Sequence, residues 1–299
     1  MGTPDYATTI FKKLIESKYE VVALFTQADK KVGRKQVLTL PHIKQFCIDE
    51  NIDIPIFQPQ RLRNNTEAKE EIEKLNPDFI IVAAYGQILP KEILDIAPCI
   101  NLHASILPKY RGASPIQEAL LNDDEYTGVT SMLMEEGLDS GDILEIQKIK
   151  ITPTMEVLEL FNELSQIAAH LTISTLDNFE KIKPLKQKEE EVSFCSKIKK
   201  ENGLVSLENA KQVYLKYKAY SFWPGIFLES GLKLKKIELF EEDSSNQIGE
   251  ILQIAKDYVI LGCKKGSLKL ITVQAPSKKA VNVVDFIRGQ RLKEKDILK

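Results

Sequence analysis

Residues Cys99 to Leu121 read CINLHASILPKYRGASPIQEALL, and this stretch decides the fold. Cys99 to His103 is a short apolar run of the kind that fills a buried strand. A polar, turn-rich loop follows. Ser114 and Pro115 then open a helix to Leu121, with proline in the first turn where a missing N–H costs nothing. The same alternation extends in both directions. Strands are expected at Val21 to Thr26, Phe79 to Ala84, Val129 to Met134 and Ile143 to Ile149, and helices at Tyr6 to Glu16, Pro41 to Glu50 and Glu67 to Leu75. A longer helix, Glu156 to Phe179, carries Val157, Leu160, Phe161, Leu164, Ile167, Ala168 and Leu171 at three-and-four spacing. Residues 1–181 therefore read as an α/β domain with an open, mainly parallel sheet and helices on both faces. Ligands in that architecture sit beyond the carboxyl ends of the strands.

Gly2-Thr3-Pro4-Asp5 reads as a turn into the first helix, with Thr3 as N-cap and Asp5 at the positive helix end. Such a turn normally follows the first, central strand of the sheet, and here nothing precedes it. Its absence would leave two neighbouring strands without ladder partners and a gap in the core. The reading frame is expected to begin several residues upstream of Met1.

Residues 182–200 are polar and aperiodic, a linker over the surface. Residues 201–299 then hold one helical stretch, Leu207 to Tyr220, and short strand-like segments from Ile226 to Gln274 separated by turn signals. These predict a small barrel or sandwich. Trp223, in a turn beside Pro224 and Gly225, reads as a core plug rather than a stacking surface.

The chain has 299 residues, with 41 Lys and Arg against 43 Asp and Glu. That near balance hides a split. Residues 1–181 hold 18 basic and 28 acidic residues, a net charge of −10, and residues 182–299 hold 23 and 15, a net of +8. The asymmetry suits a second half that meets a polyanion. No apolar run approaches the roughly 20 residues of a spanning helix, and no signal segment follows Met1, so a cytoplasmic protein is expected. Cys47, Cys99, Cys195 and Cys263 are scattered, as are His42, His103 and His170, which argues against a metal enzyme. Neither a glycine-rich dinucleotide loop nor a Walker pattern occurs, and no G-x-S-x-G elbow exists, so nucleotide and serine-nucleophile chemistry lose their basis.

The remaining candidates for chemistry cluster around the opening stretch. Asn101 and His103 stand two apart on one strand, so an amide and an imidazole share a face at its carboxyl end. Together they can hydrogen-bond one oxygen from two directions, as a carbonyl under attack requires. The loop Ser105, Leu107, Pro108, Lys109, Tyr110, Arg111 and Gly112 brings basic groups that suit an anionic ligand tail. In GLDSGDIL, Gly137 to Leu144, Asp139 sits in a glycine-punctuated turn. A carboxylate there can orient an imidazole or draw a proton from an amine.

These segments, with GTPDYA near the start, TQADKKVGRK (Thr26 to Lys35), AAYGQILP (Ala83 to Pro90), FWPG (Phe222 to Gly225) and QAPSKKAVNVVDFIRGQR (Gln274 to Arg291), together resemble the methionyl-tRNA formyltransferase family over essentially the whole chain. The resemblance implies a Rossmann-like formyltransferase domain followed by an OB-like β-barrel domain. It also implies formyl transfer from 10-formyltetrahydrofolate to the α-amino group of methionyl initiator tRNA, with no metal. By motif it assigns catalysis to Asn101, His103 and Asp139, and folate contact to Ser105 through Gly112. Grip on the tRNA acceptor end falls to Arg34 and Lys35 of an inserted loop. That loop keeps Gly33-Arg34 but departs from the family's proline-rich DRPxGRG pattern. Lys233, Lys235, Lys278 and Lys279 are candidates for electrostatic tRNA docking, and a monomer is expected. The rivals are a sugar-nucleotide N-formyltransferase and a non-catalytic RNA-binding protein on the same scaffold. The first would lack use for a basic second domain, and the second would be expected to lose the Asn-His-Asp trio first.

Overall fold

The structure is a computed structural model that describes residues 1–33 and 35–298. The chain divides into two compact units. One comprises Met1–Pro115, Tyr126–Lys150 and Phe161–Cys195, the other Ile116–Glu125, Ile151–Leu160 and Ser196–Lys299.

Up to residue 195 the elements are α1 (Asp5–Ile15), β1 (Leu24–Phe25), β2 (Lys30–Val32), β3 (Val37–Thr39), α2 (His42–Asp49), β4 (Ile56–Phe57), α3 (Thr66–Leu75), β5 (Ile80–Val82), α4 (Lys91–Leu94), β6 (Cys99–His103), β7 (Arg111–Gly112), α5 (Pro115–Leu121), β8 (Tyr126–Leu133), β9 (Ile143–Lys150), α6 (Val157–Asn178) and β10 (Phe194–Cys195). β6 matches the sequence reading residue for residue because every one of its side chains is buried and the ladder runs on both sides. The expectation of a mainly parallel sheet is corrected. β1 pairs β4, and β5 pairs β6, in parallel, but β6–β8 and β8–β9 are antiparallel. The chain turns straight back from β8 through residues 134–142 into β9, a connection that only an antiparallel pair allows.

β1–β4 and β5–β6–β8–β9 are separate sheets. Among the described residues, Met1 and Gly2 supply rungs between them: the Ala83 N–H donates to the Met1 carbonyl at 3.0 Å, and the Gly2 N–H to the Phe25 carbonyl at 3.0 Å. A cavity of about 240 Å³, lined by Ala7, Ile10, Leu14, Leu24, Ile81 and Leu176 among others, lies beside this junction. At the helix start, Pro4 rather than Thr3 is the capping position, and no side chain caps it. The Thr3 hydroxyl is spent instead on the Tyr85 carbonyl at 3.1 Å.

The second unit holds α7 (Ala210–Tyr220), β11 (Ile226–Phe227), β12 (Lys233–Ser245), β13 (Ile251–Ile254), β14 (Val259–Gly262), β15 (Lys265–Gln274), β16 (Val281–Asn282) and α8 (Val283–Gly289). One antiparallel sheet runs β11–β12–β15–β14–β13, with β16 on β15. β12 is broken by bulges near Lys236 and Glu241, which raise its twist. Among the described residues β11 and β13 do not pair, so the sheet is not closed into a ring. Leu234, Ile237, Ile251, Leu261, Leu268 and Leu270 fill its inner face. No helix among the described residues is long and apolar enough to cross a membrane.

Candidate active site

β6 ends at the site. Asn101 and His103 are 8% and 6% exposed, and they face the turn that carries Asp139. Three donors or potential donors surround the Asp139 carboxylate. The Gly112 N–H donates to Oδ2 at 2.8 Å, Asn101 Nδ2 reaches Oδ1 at 3.5 Å, and His103 Nε2 stands 3.3 Å from Oδ2. The trio named from sequence is therefore brought together within direct contact. Asp139 has a φ of +48°, a left-handed backbone that Asp tolerates better than most residues. Gly141 closes the same turn, where a Cβ would lie 1.8 Å from the Leu133 carbonyl oxygen.

The imidazole is oriented from behind. His103 Nδ1 is 2.9 Å from Ser105 Oγ, and that hydroxyl donates its single proton to the Lys109 carbonyl at 2.7 Å. Ser105 must then accept from Nδ1–H, which fixes Nε2 as the working nitrogen. Nε2 is buried and makes no aligned hydrogen bond with protein. An unprotonated Nε2 would set its lone pair against the Asp139 oxygen. A proton on Nε2 would instead bridge the two groups across 3.3 Å, so the pair can pass a proton between them. Thr130 pins the loop, its hydroxyl donating to the Ser105 carbonyl at 2.7 Å and accepting from the Leu107 N–H at 3.1 Å.

Burial pushes the Asp139 carboxyl up, but the His103 ring, the Gly112 N–H and the Arg111 charge outweigh it and hold the group below its ordinary value. It is ionised at neutral pH.

The loop expected to hold folate is largely turned inward. Ser105 supports His103, Leu107 packs with Met132 and Ile143, and Pro108 is buried; only Lys109 is fully exposed, with Tyr110 and Gly112 half-buried. Arg111 corrects the expectation of a basic group free for an anionic tail. It is 4% exposed, donating from Nε to Gln187 at 3.0 Å and from Nη2 to Glu189 at 3.1 Å. Gln187 in turn donates to the carbonyls of Asp139 and Gly141, both at 2.8 Å. Gln187 and Thr130 support the site and were missed from sequence: Gln187 falls in a polar stretch without period, and Thr130 inside an apolar strand. Nearby, β10 pairs β7 and Leu185 exchanges backbone hydrogen bonds with Ile143, so residues 185–195 carry ladder contacts.

Gly112 is the tightest point. Its φ is +126°, and a Cβ would lie 2.1 Å from the Cys195 carbonyl oxygen. Gly112→Ala is expected to destabilise the fold by about 3 kcal/mol through left-handed strain and overpacking. The change is read as a lower urea midpoint at unchanged slope. An unaltered midpoint would show that the β7–β10 contact gives way freely.

The basic candidates lie elsewhere. Lys35 is exposed on the turn between β2 and β3, a hairpin whose Val32, Val37 and Leu38 are also exposed; Arg34 lies outside the described residues. On the second unit Lys233 pairs with Gln274, whose amide donates to the Lys278 carbonyl at 2.7 Å. Lys235, Lys278 and Lys279 are exposed. These lysines have no acidic partner among the described residues. No group of metal-ligating side chains is formed among the described residues.

Formyl transferase family sequences match residues 1–176, and the formyl transferase C-terminal domain matches residues 197–291. The methionyl-tRNA formyltransferase of a Nitratiruptor species is 56% identical over 99% of this chain and 97% of its own length. That of Campylobacter lari is 55% identical over 100% and 98%. Among solved structures, the N-formyltransferase from Helicobacter canadensis in complex with folinic acid and dTDP-3-aminofucose superposes with a TM-score of 0.69 at 16% identity, covering 91% of this chain and 97% of that one. That likeness concerns the fold. With the sequence match running through both units, the chain belongs to the methionyl-tRNA formyltransferase family.

Proposed function

We propose that the chain transfers the formyl group of 10-formyltetrahydrofolate to the α-amino group of methionyl initiator tRNA by direct attack of the amine. The observation that carries this reading is the convergence of Asn101, His103 and Asp139 at the carboxyl end of β6 in a chain of this family. An unsatisfied, buried imidazole nitrogen beside an amide suits a small polar acyl group. When bound, the folate supplies an activated formyl carbon and a nitrogen leaving group.

Asn101 Nδ2–H and the protonated His103 Nε2 donate to the formyl oxygen as charge builds there. Asp139 keeps the imidazole protonated at that moment and takes up the proton that the amine sheds. A bond forms between the amine nitrogen and the formyl carbon, the carbon–N10 bond breaks, and the amine's proton ends on N10. With an α-amino pKa of about 7.7 to 8.0, a usable fraction of the amine is neutral near pH 7. No covalent enzyme intermediate is needed. Lys109 is the exposed side chain of this loop and is read as a folate contact, with Tyr110 beside it. The second unit is read as an OB-like module for the tRNA backbone, with Lys233, Lys235, Lys278 and Lys279 facing phosphates and Arg34 and Lys35 meeting the acceptor end.

Incubation with 10-formyltetrahydrofolate and either charged initiator tRNA or an amino-sugar nucleotide tests the substrate. Formylation of the sugar alone would reverse the reading, which the unpartnered lysines argue against. Four phosphate contacts through those lysines predict that log affinity for tRNA falls with log salt at a slope of about −3 to −4. A slope near zero would remove the lysines from the interface.

A further inference from the structure

Trp223 is not the core plug that its sequence setting suggested. Phe222 is 73% exposed and Trp223 50%, although the residues on either side of the turn, Tyr220 and Ile226, are 5% and 1% exposed. The turn itself is held. The Gly225 N–H donates to the Tyr220 carbonyl at 2.9 Å, and Gly203 packs so closely on the Gly225 carbonyl that an added Cβ would lie 2.1 Å from it. Two adjacent aromatic side chains are thus kept out in solvent by a backbone that is fixed on both flanks. Leu204, 41% exposed, continues the apolar surface beside Gly203.

The rim of this surface is basic. Lys197, Lys199 and Lys200 are exposed on the segment that leads into Gly203, and Lys216 Nζ donates to the Leu204 carbonyl at 3.1 Å. Glu201 is the acid in that segment, 3.9 Å from Lys199. Lys197 and Lys200 have no acidic partner among the described residues. A bare aromatic pair next to a lysine-rich segment is the combination that holds unpaired nucleotides, bases stacking on the rings while cations meet the phosphates. A protein partner that buried the pair would need acidic groups to match the same rim, whereas RNA supplies anion and π-face together.

We propose that Phe222 and Trp223 form a stacking platform for unpaired nucleobases of the RNA substrate, with Lys197, Lys199, Lys200 and Lys216 as its phosphate contacts. The proposal rests on the tRNA reading above and adds to it a place where single-stranded rather than helical RNA is held. Trp223 is the chain's single tryptophan, so its fluorescence reports the platform directly. Titration of the full chain with uncharged initiator tRNA and with a short single-stranded RNA is expected to quench that emission saturably. A fully paired RNA of equal length is expected to leave it nearly unchanged.

The Phe222→Ala, Trp223→Ala double variant is expected to bind the single-stranded RNA roughly 5- to 100-fold more weakly, while Trp223→Phe stays within about twofold because a phenyl ring still stacks. Equal quenching by paired RNA would overturn the platform, as would unchanged affinity in the double variant. Quenching on concentrating the protein alone, accompanied by dimer formation in sedimentation, would assign the surface to a second copy and overturn it as well. Formyl transfer to charged initiator tRNA by the wild-type chain, measured alongside, separates the two readings. Transfer without base-dependent quenching sinks the platform only, and absence of transfer sinks the functional reading itself.

Discussion

His103→Ala is expected to fold, to bind both substrates, and to turn over about a thousandfold more slowly. Two losses combine. Removing one preorganised donor to a developing oxyanion costs about 2.7 to 4 kcal/mol in barrier, on the scale known for such donors. The ring nitrogen that can carry a proton 3.3 Å from the Asp139 carboxylate is lost as well, and positioned acid–base groups contribute about 10²- to 10⁴-fold. The two do not add, since both act through one side chain at one step. KM should stay within about threefold, because the ring is 6% exposed and offers a bound ground state little surface. Steady-state transfer to charged initiator tRNA, with circular dichroism to establish folding, measures the effect. A folded variant within tenfold of wild-type turnover would take His103 out of the chemistry.

The parts of this site that were legible in the sequence are those fixed by local rules. Period two puts Asn101 and His103 on one face, and a five-residue apolar run bounded by turn residues gives β6 its limits. The glycines of GLDSG mark a turn at Asp139. What was not legible arises from contacts distant in sequence. Arg111 looks like an exposed cation beside Lys109, yet it is buried because Gln187 and Glu189 meet it from 76 and 78 residues away. The antiparallel β8 and β9 looked parallel because a short apolar run carries no signal of strand direction, and β9 is buried only at its start. Trp223 failed in the opposite sense. Its size argues for burial, whereas the turn that carries it is held by the Tyr220–Gly225 hydrogen bond and the close approach of Gly203, contacts with no mark in the local sequence.

The support of the site explains why so few charged residues are needed in it. Ser105 fixes the tautomer of His103, Thr130 fixes Ser105, and Gln187 fixes the turn of Asp139 while accepting from Arg111. His103 and the turn of Asp139 therefore each lean on a neighbour that is itself hydrogen-bonded, and their geometry is set before substrate arrives. Such preorganisation is what makes an amide and an imidazole effective toward an oxyanion, since no reorientation is required as charge develops.

Asp139→Asn is the second large expected effect, and pH separates its catalytic from its structural consequence. The carboxyl is pushed up by burial but held below its ordinary value of 3.8 by His103, the Gly112 N–H and Arg111. A depressed folded pKa means that ionisation favours the folded state. That contribution is complete above the unfolded value and is lost as pH falls through the lower, folded one. The wild-type chain should accordingly lose stability below about pH 4 in part through this group, and Asp139→Asn should lack that part. Across pH 6 to 8 the wild-type carboxylate is fully ionised, so its titration does not shape the rate profile there. The amide neither holds His103 protonated nor accepts the amine's proton, so kcat should fall about 10²- to 10⁴-fold by the same factor across that range. A rate restored at high pH would instead mean that the lost group serves only to neutralise the amine, a task that hydroxide can replace. Urea midpoints at pH 3 and pH 7 and a kcat profile between pH 6 and 9 supply both readings. Unchanged turnover in Asp139→Asn would leave the proton without an acceptor in this site and the proposed mechanism without its second half.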